Sequence, residues 1–203
     1  MLDVLKIPLS ELFALLAAIG FAAGLNLYAT VAVLGLLARF GHLPLPPGLQ
    51  LLASWPVIVA SLALFIIEFF ADKIPAFDLI WNALHTFIRV PVAGLLAYQA
   101  TSQLSPGHQL LATLLGAAVA LAAHGGKTAA RAAVTPSPEP LSNITLSLGE
   151  DAVAIGLTWL ATRHPYVAGT LALLFVIIIF VLVRLVIRAM RALFRGAEHE
   201  LAG

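Results

Sequence analysis

The feature that most constrains the fold is a polar stripe inside an apolar part of the chain. Residues 78–89 read DLIWNALHTFIR and lie between two long apolar segments, so we predict a helix within a membrane. Its polar residues are spaced four, three and four apart and share one helical face: Asp78, Asn82, His85 and Arg89. Such groups cost on the order of several kcal/mol each when they face lipid. The stripe is therefore predicted to face protein or a water-filled cavity.

Composition places nearly the whole chain in the bilayer. Of the 203 residues, 61% are hydrophobic and 10% are charged, whereas a soluble domain carries about 25% charged residues. The net charge of +1 offers no basis for nucleic-acid binding. Cysteine is absent, which excludes disulfides, thiolate metal sites and a cysteine nucleophile. The N-terminus lacks the charged region and cleavage site of a signal peptide, so we expect the first apolar segment to remain as a membrane helix.

The apolar segments predict an all-α, polytopic transmembrane bundle of about six helices in a single domain over residues 1–203. They cover roughly residues 12–39, 53–71, 78–98, 109–134, 150–163 and 165–188. Residues 135–149 form the longest polar connection. The sixth segment is uniformly apolar, so we expect it to face lipid or to pack against another helix. The distribution of lysine and arginine predicts that both termini are cytoplasmic.

Two of the six segments contain residues that favour a helix break. Gly24 and Asn26 lie near the middle of the first segment, which is longer than one perpendicular span requires. Gly125 and Gly126 lie inside the fourth segment, and each glycine costs about 1 kcal/mol in a helix interior. We therefore expect broken first and fourth helices, with the second half of the fourth starting at Lys127.

An internal alignment relates the two predicted breaks. Residues 18–33 align without gaps on residues 118–133. With three segments per repeat, the halves at about 10–104 and 107–195 would be inverted in the membrane, an architecture found in transporters with broken helices. Small apolar residues also produce such alignments by chance, which leaves both interpretations open.

The other segments carry polar faces as well, and these complete the set of candidate residues. The predicted substrate- or ion-binding residues are Asn26, Glu68, Asp72, Asp78, Asn82, His85, Arg89, His124, Lys127, Arg131, Glu150 and Asp151. Isolated buried charges are too costly to persist, so the acids and bases are expected to pair. Two interpretations remain: a salt-bridge network that locks helices two to five, or a hydrated cavity with ionisable walls.

Several short motifs carry a family resemblance. They are SWP at 54–56, ADKIP at 71–75, the HGxK pattern at 124–127 and the ED pair at 150 and 151. With these motifs, roughly residues 12–190 resemble a family of small bacterial integral membrane proteins defined only as domain of unknown function 4126. The GLNLYAT stretch departs from the more aromatic and basic stretch expected there. The resemblance implies a helical membrane fold in a bacterial inner membrane, and it brings no established activity.

The leading hypothesis is a small membrane transporter or channel for a small solute or ion. Its cavity would lie between helices two to five, with Asn26 and residues 124–127 at the midplane. Arg89 and Arg131 would attract an anionic group. A proton relay would join one imidazole to one of three acids: His85, with Glu68, Asp72 or Glu150. A homodimer is expected because six short helices barely enclose a cavity.

Two alternatives belong to other classes. One is an intramembrane enzyme acting on a lipid or polyprenyl phosphate with metal assistance, which is less favoured because no HxxxH or ExxH spacing occurs. The other is a structural or assembly protein. The GGKT at 125–128 lacks the first glycine and the strand of a P-loop, so nucleotide binding is rejected. A helix restarting at Lys127 would instead offer N–H groups to an anion. Any cofactor or metal stays undetermined.

Overall fold

Seven α-helices and one 3-10 helix make up the described parts of the chain in a computed structural model. The structure describes residues 8–134 and 140–201, without the side chains at 75–79, 132–134, 140–143, 186, 189, 190 and 192–201. The helices are α1 (Leu9–Leu25), α2 (Leu27–Arg39), the 3-10 helix (Pro47–Ala53), α3 (Trp55–Ala71), α4 (Pro75–Ala100), α5 (Pro106–Val134), α6 (Pro140–Arg163) and α7 (Pro165–Leu201). The described ranges contain no β-strand, and the all-α prediction is confirmed.

The number of membrane-spanning helices differs from the six predicted. Within the described residues, four stretches are long and apolar enough to cross a membrane: Ile80–Ala100, Pro106–Arg131, Ile144–Arg163 and Pro165–Leu185. A fifth span results if the 3-10 helix and α3, which meet at a bend of 65°, are taken as one. The first predicted segment consists of two shorter helices, of 17 and 13 residues. The difference in number arises because helix breaks divide the apolar chain near its N-terminus.

Helix α1 is the central element of the bundle, because it packs against α4, α5, α6 and α7. Small residues allow this close packing, as is usual where membrane helices approach one another. A Cβ atom built at Gly20 would lie 2.9 Å from the carbonyl oxygen of Gly116, and one built at Gly24 would lie 2.8 Å from the Cβ of Ala123. The backbones of α1 and α5 therefore touch almost directly.

The predicted break in the first segment is confirmed. Asn26 separates α1 from α2 with an extended backbone, at φ −146° and ψ 101°. Its side-chain oxygen accepts a hydrogen bond of 2.9 Å from the backbone N–H of Ala29 and so caps α2. Asparagine is among the best N-cap residues because its short side chain reaches these otherwise unpaired donors.

The predicted break in the fourth segment is wrong. Helix α5 runs without interruption from Pro106 to Val134 and includes both Gly125 and Gly126. Within a membrane, broken backbone hydrogen bonds cost several kcal/mol, which outweighs the roughly 1 kcal/mol penalty of each glycine. Gly126 instead gives room to α7, since a Cβ there would lie 2.6 Å from the side chain of Ile179. The anion site at a restarted helix is therefore also wrong.

Three further features of the sequence interpretation need comment. The polar connection predicted at 135–149 is shorter, because α6 begins at Pro140, a residue favoured in the first turn of a helix. The apolar span of α7 is only 11% buried, which suits lipid contact. The inverted repeat stays a prediction and lacks the second break that would match Asn26.

The glycine contacts of α1 generate a stability prediction. Replacing Gly24 with alanine should destabilise the protein by about 1–3 kcal/mol, because the added methyl group meets α5 with no room to relax. The matched control is Gly125→Ala, where a Cβ meets nothing within 4 Å and helix propensity rises by about 0.5–1 kcal/mol. Thermal unfolding in detergent measures both. Equal midpoints for the two variants would contradict the close approach of α1 and α5.

Candidate functional site: a buried charged core

Four helices bring seven charged side chains together inside the protein, and we call this set the charged core. Its members are Glu68, Asp72, Arg89, Lys127, Arg131, Glu150 and Asp151, and all are buried. Helical spacing explains their meeting, since Glu68 and Asp72 are four residues apart on α3, while Lys127 and Arg131 are four apart on α5. The described members of the polar stripes therefore face protein, one of the two environments predicted for them, while a binding role for these residues stays a prediction.

Arg89 joins α3, α4 and α5. Its guanidinium group forms a salt bridge with Glu68, and both side chains are fully buried. One of its nitrogens also lies 2.9 Å from Nδ1 of His124 and donates to Asn82 Oδ1 at 3.3 Å. Because arginine can only donate, Nδ1 of His124 is an acceptor. The imidazole is then neutral, with its proton on Nε2. This Nε2 atom lies 2.8 Å from the hydroxyl oxygen of Thr86.

Lys127 lies at the centre of the charged core, with oxygen atoms from three other helices around its ammonium group. The Nζ atom lies 2.8 Å from Asp72 Oδ2, 3.5 Å from Glu68 Oε1 and 3.4 Å from Glu150 Oε2. It also donates to the backbone carbonyl of Leu25 at 3.3 Å. In an unbroken helix that carbonyl would accept from the N–H of residue 29, but this N–H is bound to Asn26. The helix break thus frees an acceptor that Lys127 uses.

Arg131 binds two acids from neighbouring elements. Its Nε and Nη2 atoms lie 3.3 and 2.6 Å from the two carboxylate oxygens of Glu150, a two-point contact between α5 and α6. Its Nη1 atom donates to the backbone carbonyl of Asp72 at 3.0 Å, at the C-terminal end of α3. Arg131 on α5 therefore contacts both the C-terminal end of α3 and the middle of α6.

Asp151 is the one acid of the charged core that contacts no base among the described side chains. Its Oδ1 atom accepts a hydrogen bond of 2.8 Å from the amide of Asn26. Its Oδ2 atom is buried and has no hydrogen-bond partner within the described part of the chain. Glu150, the preceding residue on α6, is instead bound by Arg131. Two adjacent buried acids thus have very different environments.

His85 lies apart from the acids with which a proton relay was predicted. Its Nε2 atom lies 2.9 Å from the hydroxyl of Tyr28, its Nδ1 atom lies 2.8 Å from the carbonyl of Trp81, and its ring stacks on the indole of Trp81. Both ring nitrogens are therefore engaged, and neither contacts a carboxylate. The side chain of Asp78, another predicted site residue, lies outside the described residues.

Some residues of the site were not recognised in the sequence. Tyr28 and Thr86 contact the two histidines, and the carbonyl of Leu25 contacts Lys127. A single tyrosine or threonine in an apolar helix has no sequence pattern that marks it as a site residue. A backbone carbonyl cannot be recognised from the sequence either. The position of Tyr28, two residues after the break, is the only available signal.

The described side chains offer no ready metal site. Among them, no group of three histidine, aspartate or glutamate residues is arranged to hold a metal ion. The acids of the charged core are bound to lysine, arginine and asparagine instead. The metal-assisted enzyme hypothesis therefore has no ligand set in this part of the molecule.

Apolar helices around a buried charged core define an integral membrane protein with an ionisable interior. The chain belongs to the family described as Domain of unknown function (DUF4126), whose sequence model matches residues 13–185. The family resemblance seen in the sequence is thereby confirmed. A search of curated proteins and a search of solved structures found no match.

The salt bridge between Arg89 and Glu68 generates a prediction for stability. Replacing Arg89 with methionine should destabilise the protein by up to about 3–5 kcal/mol, because buried Glu68 loses its salt bridge and keeps only the ammonium group of Lys127, 3.5 Å away. Adding Glu68→Met to this variant should recover much of the loss, since a buried pair can be replaced by apolar side chains at little cost. Thermal unfolding in detergent is the measurement.

The control is Arg39→Met, because Arg39 lies over the ring of Trp55 outside the charged core. Its loss should cost less than about 1 kcal/mol. The pairing would be refuted if the double variant were less stable than Arg89→Met alone.

Proposed function

We propose that this protein is a small membrane transporter that moves a small positively charged ion through its charged core. The observation that carries the proposal is an excess of buried acid beside a helix break. Four acids and three bases, one lysine and two arginines, lie in the charged core, so one acid has no base as a counterpart among the described buried side chains. A buried net charge is costly, so a mobile positive charge is the natural complement.

The position of the charged core beside a helix break supports the same proposal. Ends of broken helices near the membrane midplane expose backbone carbonyls and N–H groups that bind coupling ions in transporters. Here Asn26 interrupts the chain between α1 and α2, and it contacts Asp151 on α6. The freed carbonyl of Leu25 adds a further oxygen close to the acids.

A positively charged ion suits the site better than the anion considered from the sequence. Arg89 and Arg131 were expected to attract an anionic group, but each is held by a buried carboxylate. An anion would have to displace Glu68 or Glu150 and would add to the surplus negative charge. A cation would balance that surplus.

Ion passage through the charged core requires its contacts to rearrange. A cavity of about 260 Å³ lies at the opposite end of α1 from the charged core, between apolar residues that include Leu12, Leu16 and Leu49. The charged core itself is filled by its own salt bridges. Lys127 has four oxygen partners, of which three lie beyond 3.2 Å, so these three are the contacts that would exchange first. We place the protein in the bacterial inner membrane, with the arginine-rich end of α7 on the cytoplasmic side.

A second candidate function is a structural or assembly role. It is favoured by one observation, namely that each of the three bases in the charged core already contacts at least one acid. Such a network would hold α3, α5 and α6 together without any ion transport. The two candidates differ in whether purified protein makes a membrane permeable.

Reconstitution into liposomes tests the proposal. Liposomes containing the protein should pass protons, sodium or potassium faster than empty liposomes, as followed with ion-sensitive dyes. The double variant Arg131→Gln with Glu150→Gln removes one salt bridge and keeps the net charge, and it should lose most of the flux. The control is Arg184→Gln, which removes an arginine of α7 that is exposed and does not belong to the charged core. This variant should keep the flux.

The same preparation separates the two candidates. Liposomes as impermeant to all three ions as empty ones would overturn the transport proposal. In that case the structural role predicts that the reversed pair, Arg131→Glu with Glu150→Arg, is more stable than either single substitution, because the contact between residues 131 and 150 is preserved with its charges exchanged.

A further inference from the structure

We propose that Asp151 is the proton-binding residue of this protein, and that the proton is the ion its interior carries. The inference rests on the proposed function for its physiological meaning, but the binding of the proton stands on geometry alone. It concerns one atom, Oδ2 of Asp151, which is buried and has no hydrogen-bond partner among the described residues.

The partners of the acids single out Asp151. Glu68 is bound by Arg89, Asp72 by Lys127 and Glu150 by Arg131, so each of these carboxylates has an ammonium or guanidinium group beside it. Asp151 has only the neutral amide of Asn26. If one acid of the charged core holds a proton, it is the one that gains least from remaining charged, and that is Asp151.

The contact with Asn26 suits a protonated carboxyl group. The amide nitrogen of Asn26 donates to Oδ1, which leaves Oδ2 to carry the hydrogen. The amide oxygen of Asn26 is already used by the N–H of Ala29, so the direction of the contact is fixed. Asn26 would therefore hold Asp151 in place without preventing the proton from leaving.

Charged groups on every neighbouring element act on this proton. Those facing the same region are Glu68, Asp72 and Lys73 from α3 and the turn after it, Lys127 and Arg131 from α5, and Glu150 from α6. Lys73 is at the rim, where its ammonium group donates to the carbonyl of Phe69. The acids favour the protonated form of Asp151 and the bases favour the ionised form, which makes the proton exchangeable.

The proposed step is a simple proton transfer. On uptake, a hydronium ion gives its proton to Oδ2 of Asp151, an O–H bond forms, and water is released. On release, that bond breaks, the electron pair stays on the carboxylate oxygen, and water on the other side of the membrane takes the proton. No other reactant is needed.

Stability measured against pH tests the proton site without any transport assay. If the native state holds a proton that the unfolded state does not, the unfolding equilibrium constant rises by up to about tenfold per pH unit as the pH is raised. Thermal unfolding in detergent, followed upward from about pH 4, where an aspartate of the unfolded chain ionises, should show this loss of stability in the unmodified protein. Asp151→Asn, which imitates the protonated acid, should remove the dependence and be the more stable protein at high pH.

The matched control is Glu150→Gln, the adjacent buried acid. It should lower stability because Arg131 loses its partner, and it should keep a pH dependence, moved to lower pH, because Asp151 remains but loses a neighbouring negative charge. The proposal is overturned if Asp151→Asn keeps the full pH dependence, or if it is as destabilised at high pH as Glu150→Gln.

A proton gradient across liposomes then tests the link to transport. Loss of the pH dependence in Asp151→Asn together with loss of proton flux supports both the proton site and the proposed function. Loss of the pH dependence, with no flux even in the unmodified protein, supports the proton site and overturns the transport function. Unchanged proton flux in Asp151→Asn overturns Asp151 as the carrier and leaves transport in place.

Discussion

The contacts of one ammonium group hold the interior of this protein together. Lys127 extends from α5 to oxygen atoms on α1, α3 and α6, so four elements share a single positive charge. In a membrane these oxygens have no bulk water to bind in its place. Two arginines also join helices through salt bridges, Arg89 with Glu68 and Arg131 with Glu150. Helices that offer few polar contacts elsewhere are thereby held in one register.

The helix break and the charged core depend on each other. Asn26 caps α2 with its amide oxygen and holds Asp151 with its amide nitrogen. Because the cap takes the N–H of Ala29, the carbonyl of Leu25 is left for Lys127. A single asparagine therefore ends one helix, starts the next and contributes two contacts to the charged core. The same side chain thus satisfies a backbone N–H group at the start of α2 and a carboxylate oxygen on α6.

The membrane class, the helical fold and the identity of the buried polar residues were predictable from the sequence. Charged residues at helical spacing in apolar segments must point inward, because lipid offers them no partner, and this reasoning found every member of the charged core. The pairing was not predictable, since four acids and three bases on separate helices admit many combinations. The break at Asn26 was found from an asparagine in a long apolar run. The break predicted at Gly125 and Gly126 does not exist, since α5 is continuous there. The sequence could not show this, because a glycine needed for packing against α7 looks the same as a glycine at a helix break.

Partners such as Tyr28 and Thr86 could not be recognised because their contacts depend on how α2, α4 and α5 cross. The difference between Glu150 and Asp151 was equally hidden. Adjacent residues on a helix point about 100° apart, so one faces Arg131 and the other faces the break. Sequence shows two acids side by side, whereas only the packing shows that they have different partners.

The central position of α1 has a consequence for how the protein is made. Helix α1 precedes the other described helices in the chain, yet its neighbours α5, α6 and α7 lie more than eighty residues later. Its residues Gly20 and Gly24 offer no side chain to lipid and fit closely against α5. The close contact of α1 with α5 therefore cannot form until α5 has been translated, and the core of the bundle is complete only after α7 has followed.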